Sequence, residues 1–147
     1  MTRQELLDRL APCGLDCMRC LARSGGEVER ASLAVLGALG GFDKHAERFA
    51  AFDPVFADYP AFKRVADRLA AGRCLGCRRS GCLHSACKVH LCVRETGVDF
   101  CYQCAEFPCD STGLEGPLLD RWRKNNERMR EIGLEAYVAE TLERHRY

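Results

Sequence analysis

"GRCLGCRRSGCLHSACKVHLCVRETGVDFCYQCAEFPCD", Gly72 to Asp110, carries eight of the chain's eleven cysteines. It shows neither the alternation of a strand nor a sustained 3.6-residue apolar period. Loops, tight turns and one short helix are therefore predicted here. Within it, Cys74-x2-Cys77-x4-Cys82 recurs as Cys101-x2-Cys104-x4-Cys109, either as two similar knuckles or as coincidence in so cysteine-rich a segment.

On both sides of this stretch the pattern turns helical. Thr2 opens a capping box with Glu5, and Leu6, Leu7 and Leu10 follow at helical spacing. Pro12 and Gly14 end that helix where Cys13, Cys17 and Cys20 begin. A second helix is predicted from Val28 to Leu39, closed by Gly40 and Gly41. From Phe42 to Ala71 the pattern stays helical, with breaks before Pro54 and Pro60. Phe42, Phe49, Phe52, Phe56, Phe62, Val65 and Leu69 read as its core stripe. Pro117 starts a helix to about Ile132, and a last one runs from Leu134 to about Arg144. The expected fold is mainly α: a helical domain with an irregular, metal-stabilised cysteine-rich module of zinc-knuckle-like loops. One domain spans 1–147. Its module is 11–25 plus 73–110, its helical insert 26–72, and its C-terminal helices lie in 117–147.

At 147 residues, 47% apolar and 29% charged, the chain has an ordinary globular balance. A net charge of +1 gives no global field toward nucleic acid or anionic membrane. No run approaches the roughly 18 apolar residues of a membrane helix. "MTRQELLDRLAPCG" (Met1 to Gly14) has charges within its apolar pattern and does not read as a signal peptide. The compartment expected is reducing cytoplasm, where disulfides rarely persist. Eleven cysteines would in any case leave one unpaired. Cysteines so closely spaced in that setting read as metal ligands.

Cys-x2-Cys suits a metal because a tight turn aims both sulfurs at one point about 2.3 Å away. "CLGC" (Cys74 to Cys77) and "CYQC" (Cys101 to Cys104) are separated by 23 residues, slightly wider than the usual zinc pattern. They give a first expected site of Cys74, Cys77, Cys101 and Cys104. A second would take Cys13, Cys17 and Cys20 with a fourth ligand from Cys109, Cys92 or Cys87. His84 and His90 sit among the cysteines as substitutes, though a surface or capping role is favoured. His45 and His145 read as solvated. Arg73, Arg78, Arg79, Lys88 and Arg94 are uninterrupted by any acidic residue. They read as compensation for thiolate charge, since the aromatic interleaving of a nucleic-acid platform is missing.

Cys13-x3-Cys17-x2-Cys20, with Gly25-Gly26-Glu27 behind it, has the look of a radical enzyme's cluster motif. The glycines fall in the same loop instead of after a second strand, no βα repeat follows, and the chain is shorter than the ~200 residues of a small barrel. An iron–sulfur cluster without radical chemistry stays open, since clusters also take four thiolates. No nucleophile elbow, phosphate loop, His-Glu-x-x-His motif or paired carboxylate cleft is visible, so no catalytic constellation is assigned.

"APCGLDC" (Ala11 to Cys17) with Cys20, "CLGC", "CKVHLC" (Cys87 to Cys92) and "GVDFCYQCAEFPC" (Gly97 to Cys109) together resemble a family of small, cysteine-rich prokaryotic proteins. That family is known only as a domain of unknown function presumed to bind zinc. "NNERMREIGLEAYV" (Asn125 to Val138) resembles its ending. The resemblance implies Cys13, Cys17, Cys20, Cys74, Cys77, Cys87, Cys92, Cys101, Cys104 and Cys109 as ligands and leaves Cys82 outside the pattern. It implies no activity. The reading that follows is a cytoplasmic metal-binding protein with two zinc ions of structural role, acting as an interaction module for a protein partner, with neither membrane nor nucleic acid involved. The alternative is an iron–sulfur or thiol-redox and metal-handling protein.

Overall fold

The computed structural model describes residues 1–147. Eight α-helices follow in order: α1 Arg3–Arg9, α2 Glu27–Ala38, α3 Ala46–Ala50, α4 Tyr59–Ala70, α5 Cys77–Ser80, α6 Val89–Thr96, α7 Gly116–Ile132 and α8 Leu134–Glu143. Short 3-10 turns lie at Cys17–Arg19, Phe42–Lys44, Pro54–Asp58 and Cys101–Gln103. The chain is mainly helical and has no strands; Leu10 and Asp16 form an isolated β-bridge. It divides into two compact units. Met1–Met18 with Cys74–Tyr147 form a cysteine unit, and Arg19–Arg73 form an insert unit.

In the cysteine unit, α1 begins with the reciprocal cap its sequence predicts. Thr2 Oγ1 accepts the Glu5 amide at 3.2 Å, and the Glu5 carboxylate accepts the Thr2 amide at 2.7 Å. Two buried clusters form the core. One joins Leu6 and Leu10 to Phe100, Met129, Tyr137 and Val138. The other places Cys87 and Cys101 with Val89, Val93 and Trp122, and packs Cys13, Cys82 and Cys109 against them. Long α7 serves both. Trp122, Asn126 and Met129, at offsets four and seven, share one face.

Asn126 is fully buried at the middle of that face. Its Oδ1 accepts the Tyr102 amide at 3.1 Å, and its Nδ2 donates to the carbonyls of Trp122 at 3.0 Å and Pro12 at 3.4 Å. Asn125 donates to the Cys13 carbonyl at 3.4 Å, and the Tyr137 hydroxyl to the Gly14 carbonyl at 2.7 Å. Three successive carbonyls of the "APCG" turn are thus each held by a side chain from α7 or α8. At Gly14 the backbone has φ +79°, and an added Cβ would fall 2.5 Å from Asn125 Cβ, so both conformation and space demand glycine. Asp16, buried, accepts from Arg9 Nε at 2.9 Å and Nη2 at 2.6 Å and from the Met18 amide at 3.0 Å. Replacing Asn126 with Ala leaves the Tyr102 amide and two carbonyls short of partners. We expect a loss of about 3 kcal/mol, read as a lower urea midpoint at unchanged slope.

In the insert unit α2 packs on α4, with α3 and the 3-10 turns between them in sequence. Tyr59 and Ala66 are the buried residues of α4, seven apart on one face. The expected core stripe is corrected here. Phe52 is 83% exposed and Val65 60%, while Phe49 and Phe62 are also exposed. Residues 42–58 form two 3-10 turns and the five-residue α3, with a further break between Lys44 and Ala46, so the 3.6-residue period does not carry through them. The rings meet one another instead, Phe42 lying 4.7 Å from Tyr59 and 5.2 Å from Phe49 between centroids. Pro60 falls within the first turn of α4, where a missing N–H costs nothing, and does not break it. No helix is long and apolar enough to cross a membrane.

Candidate metal centre

Four cysteines from three segments line one cavity in the cysteine unit. α6 contributes Cys92 beside Val93 and Thr96, at helical offsets that put them on one flank. Gly97, at φ +72°, ends α6 and reverses the chain toward Val98. The 3-10 turn Cys101–Gln103 then supplies Cys101 and Cys104, its Cys104 amide bonded to the Cys101 carbonyl at 3.0 Å. Cys109 closes the ring after Phe107. The cavity has room for a water- or ion-sized body.

Burial pushes the Cys101 thiol up to about 11, with the Trp122 indole N–H working against it and Cys109 and Cys92 adding to it. Cys92 is likewise raised by burial, and next by Cys109 and Cys104. The Trp122 ring is 1% exposed, and its buried Nε1 makes no well-formed hydrogen bond; it lies close enough to the Cys101 sulfur to act on that thiol. An unpartnered N–H beside a sulfur is placed to support a metal thiolate from the outer shell. The donor set and this buried indole fit a soft cation in the cavity.

A second group surrounds Cys82. The thiols of Cys77 and Cys87 donate to its sulfur, which pulls Cys82 well below the usual thiol range; the His84 amide and His90 act in the same direction. Those bonds, with burial second, push Cys77 and Cys87 up. Cys13 is raised chiefly by burial, and also feels Cys82 and the Arg146 guanidinium. Four cysteines accept the backbone amide two residues on. Gly76 donates to Cys74 at 3.3 Å, and Leu15, His84 and Val89 donate to Cys13, Cys82 and Cys87. Such bonds favour the thiolate. Arg78 lies alongside, its guanidinium 4.9 Å over the Phe100 ring and donating to the carbonyls of Leu7 at 3.2 Å and Leu10 at 3.5 Å. Burial lowers its pKa, opposed by Asp99, Cys17, Cys77 and Cys13.

Cys101 and Cys104 thus stand together as the spacing predicts, but with Cys92 and Cys109 and not with Cys74 and Cys77. Cys77 turns to Cys82 and Cys87. Cys13 joins the dense stretch, as a site tying the N-terminus to it requires, and Cys17 lies near Cys77 and Arg78. Cys74 is buried within its own turn, and Cys20 belongs to the insert unit. No three His, Cys, Asp or Glu side chains are gathered tightly enough to hold an ion as they stand, so each group would close by thiol rotation. Sequence reasoning left out Trp122, whose i, i+4, i+7 relation to Asn126 and Met129 was the available signal, and the family resemblance left Cys82 outside its pattern. His84, His45 and His145 are exposed. His90 is half-buried, with its Nδ1 buried and unpartnered.

A family model described as a protein of unknown function (DUF3795) matches residues 9–113, a span that contains all eleven cysteines. No curated protein and no solved structure matches the chain.

Proposed function

The chain belongs to the DUF3795 family of proteins of unknown function, and on that premise we propose that it is a zinc-binding protein whose metal is structural. The observation that carries this reading is the cavity where Cys92, Cys101, Cys104 and Cys109 meet, backed by the Trp122 indole. Four thiolates suit zinc, a d¹⁰ ion content with a closed tetrahedral set. They suit iron–sulfur clusters too, and elemental analysis of the purified protein separates the two. Two zinc ions per chain are proposed, one here and one from the remaining cysteines.

Its place is the cytoplasm, and its role is that of an interaction module binding another protein. The exposed Phe49, Phe52, Val55, Phe62 and Val65 of the insert unit support this part of the reading, since apolar surface of this kind marks contact sites. The test is elemental analysis and visible absorbance of protein purified without oxygen. About two zinc per chain with no band near 400 nm is the result expected. Iron with acid-labile sulfide would overturn it, as would protein that is fully folded and free of metal.

A further inference from the structure

We propose that Cys13, Cys77, Cys82 and Cys87 form the second thiolate site, taking one soft divalent cation with Cys82 as its central ligand. This rests on the reading that the protein binds metal through cysteine, and goes further by assigning the ligands. It also enlists the one cysteine that the family pattern leaves out.

The four come from three places in the cysteine unit: the turn after α1, the start and exit of α5, and the residue two before α6. Cys13, Cys82 and Cys87 pack into one buried cluster. Cys77 reaches the same point by its thiol bond to Cys82. Thiol rotation from this arrangement would bring the sulfurs to the S···S edge of a tetrahedron, which is about 3.8 Å for metal–sulfur bonds of 2.3 Å. The amides of Leu15, His84 and Val89 occupy one side of three of these sulfurs, leaving the others to face inward. Binding replaces the S–H protons, which pass to solvent, and no atom changes oxidation state. Four thiolates on a divalent ion carry two net negative charges. Arg78 and Arg146, both neighbours of the group, supply two positive ones. Gly81, at φ +78°, gives the loop its turn into Cys82, and a side chain there would meet the His90 ring at 3.3 Å.

The experiment is cadmium-113 NMR of the full chain loaded with cadmium alone. Wild type should give two all-sulfur resonances. Cys104→Ser should abolish one and Cys82→Ser the other, while Cys17→Ser and Cys20→Ser keep both. Should Cys82→Ser fail to fold, Cys82→His keeps a ligand and should move one resonance to the range of three sulfurs and one nitrogen. Two unaltered resonances in Cys82→Ser or Cys82→His overturn this assignment but leave metal binding intact. So does a wild-type protein with only the resonance that Cys104→Ser removes. Absence of any bound cadmium in wild type would instead overturn the proposed function itself.

Discussion

On the zinc-binding reading proposed above, a strong chelator is expected to unfold the cysteine unit outright. Between Cys74 and Glu115 its regular structure amounts to a four-residue α5, an eight-residue α6 and one 3-10 turn. Isolated helices below ~12–15 residues are marginal in water, and no strand pairs this stretch with the rest. Its second cluster is built from the cysteines themselves, with Cys87 and Cys101 buried beside Val89, Val93 and Trp122. Without metal, several of those thiols are buried polar groups with poor partners. Structural zinc contributes about 10–16 kcal/mol in small domains, as much as the whole ~5–15 kcal/mol stability of an ordinary one. Trp122 is the sole tryptophan and is 1% exposed, so its emission should move to the red as helical circular dichroism falls. An emission maximum that stays blue after metal has left would count against the whole reading.

Trp122→Ala should be the most damaging single substitution outside the cysteines, at about 3–5 kcal/mol. The residue fills the centre of the cysteine cluster and meets Phe107 edge-on, 5.1 Å between centroids. Trp122→Phe separates its two roles. Phenylalanine keeps most of the apolar volume and loses the N–H beside Cys101, so stability should fall far less. Metal affinity should drop roughly 10- to 100-fold, the usual cost of an outer-shell partner. Competition with a chromophoric chelator measures it. If Trp122→Phe holds metal as tightly as wild type, the indole is a packing residue alone.

How much of this was legible in the sequence depends on where the information lies. The capping box at Thr2 and Glu5, the boundary between Ile132 and Leu134, and the proline start of α7 are local and emerge as expected. The aromatic stripe of residues 42–69 was misread because periodicity presumes an unbroken helix, and the chain there turns three times. Membership of the cysteine groups is a long-range property. Spacing shows that Cys101 and Cys104 can share a centre, but only the fold brings Cys92 and Cys109 to them, and sends Cys77 to Cys82. "APCG" is similar: nothing local says that α7 and α8 will hold its carbonyls, yet Asn125, Asn126 and Tyr137 were waiting in the tail.

The amide of Arg73 donates to the carbonyl of Ala22 at 2.9 Å. About fifty residues thus leave the path of the chain and return to where they departed. In polymer terms the insert behaves as a side-loop tied at its neck. Once the neck forms, the rest of the molecule experiences a connection of a few residues where the covalent chain has ten times as many, a difference of about 2 kcal/mol in closure entropy. The sequence separation between Cys13 and Cys77 then overstates the distance their meeting must overcome. A graft of different length on the same neck would leave that meeting almost as easy.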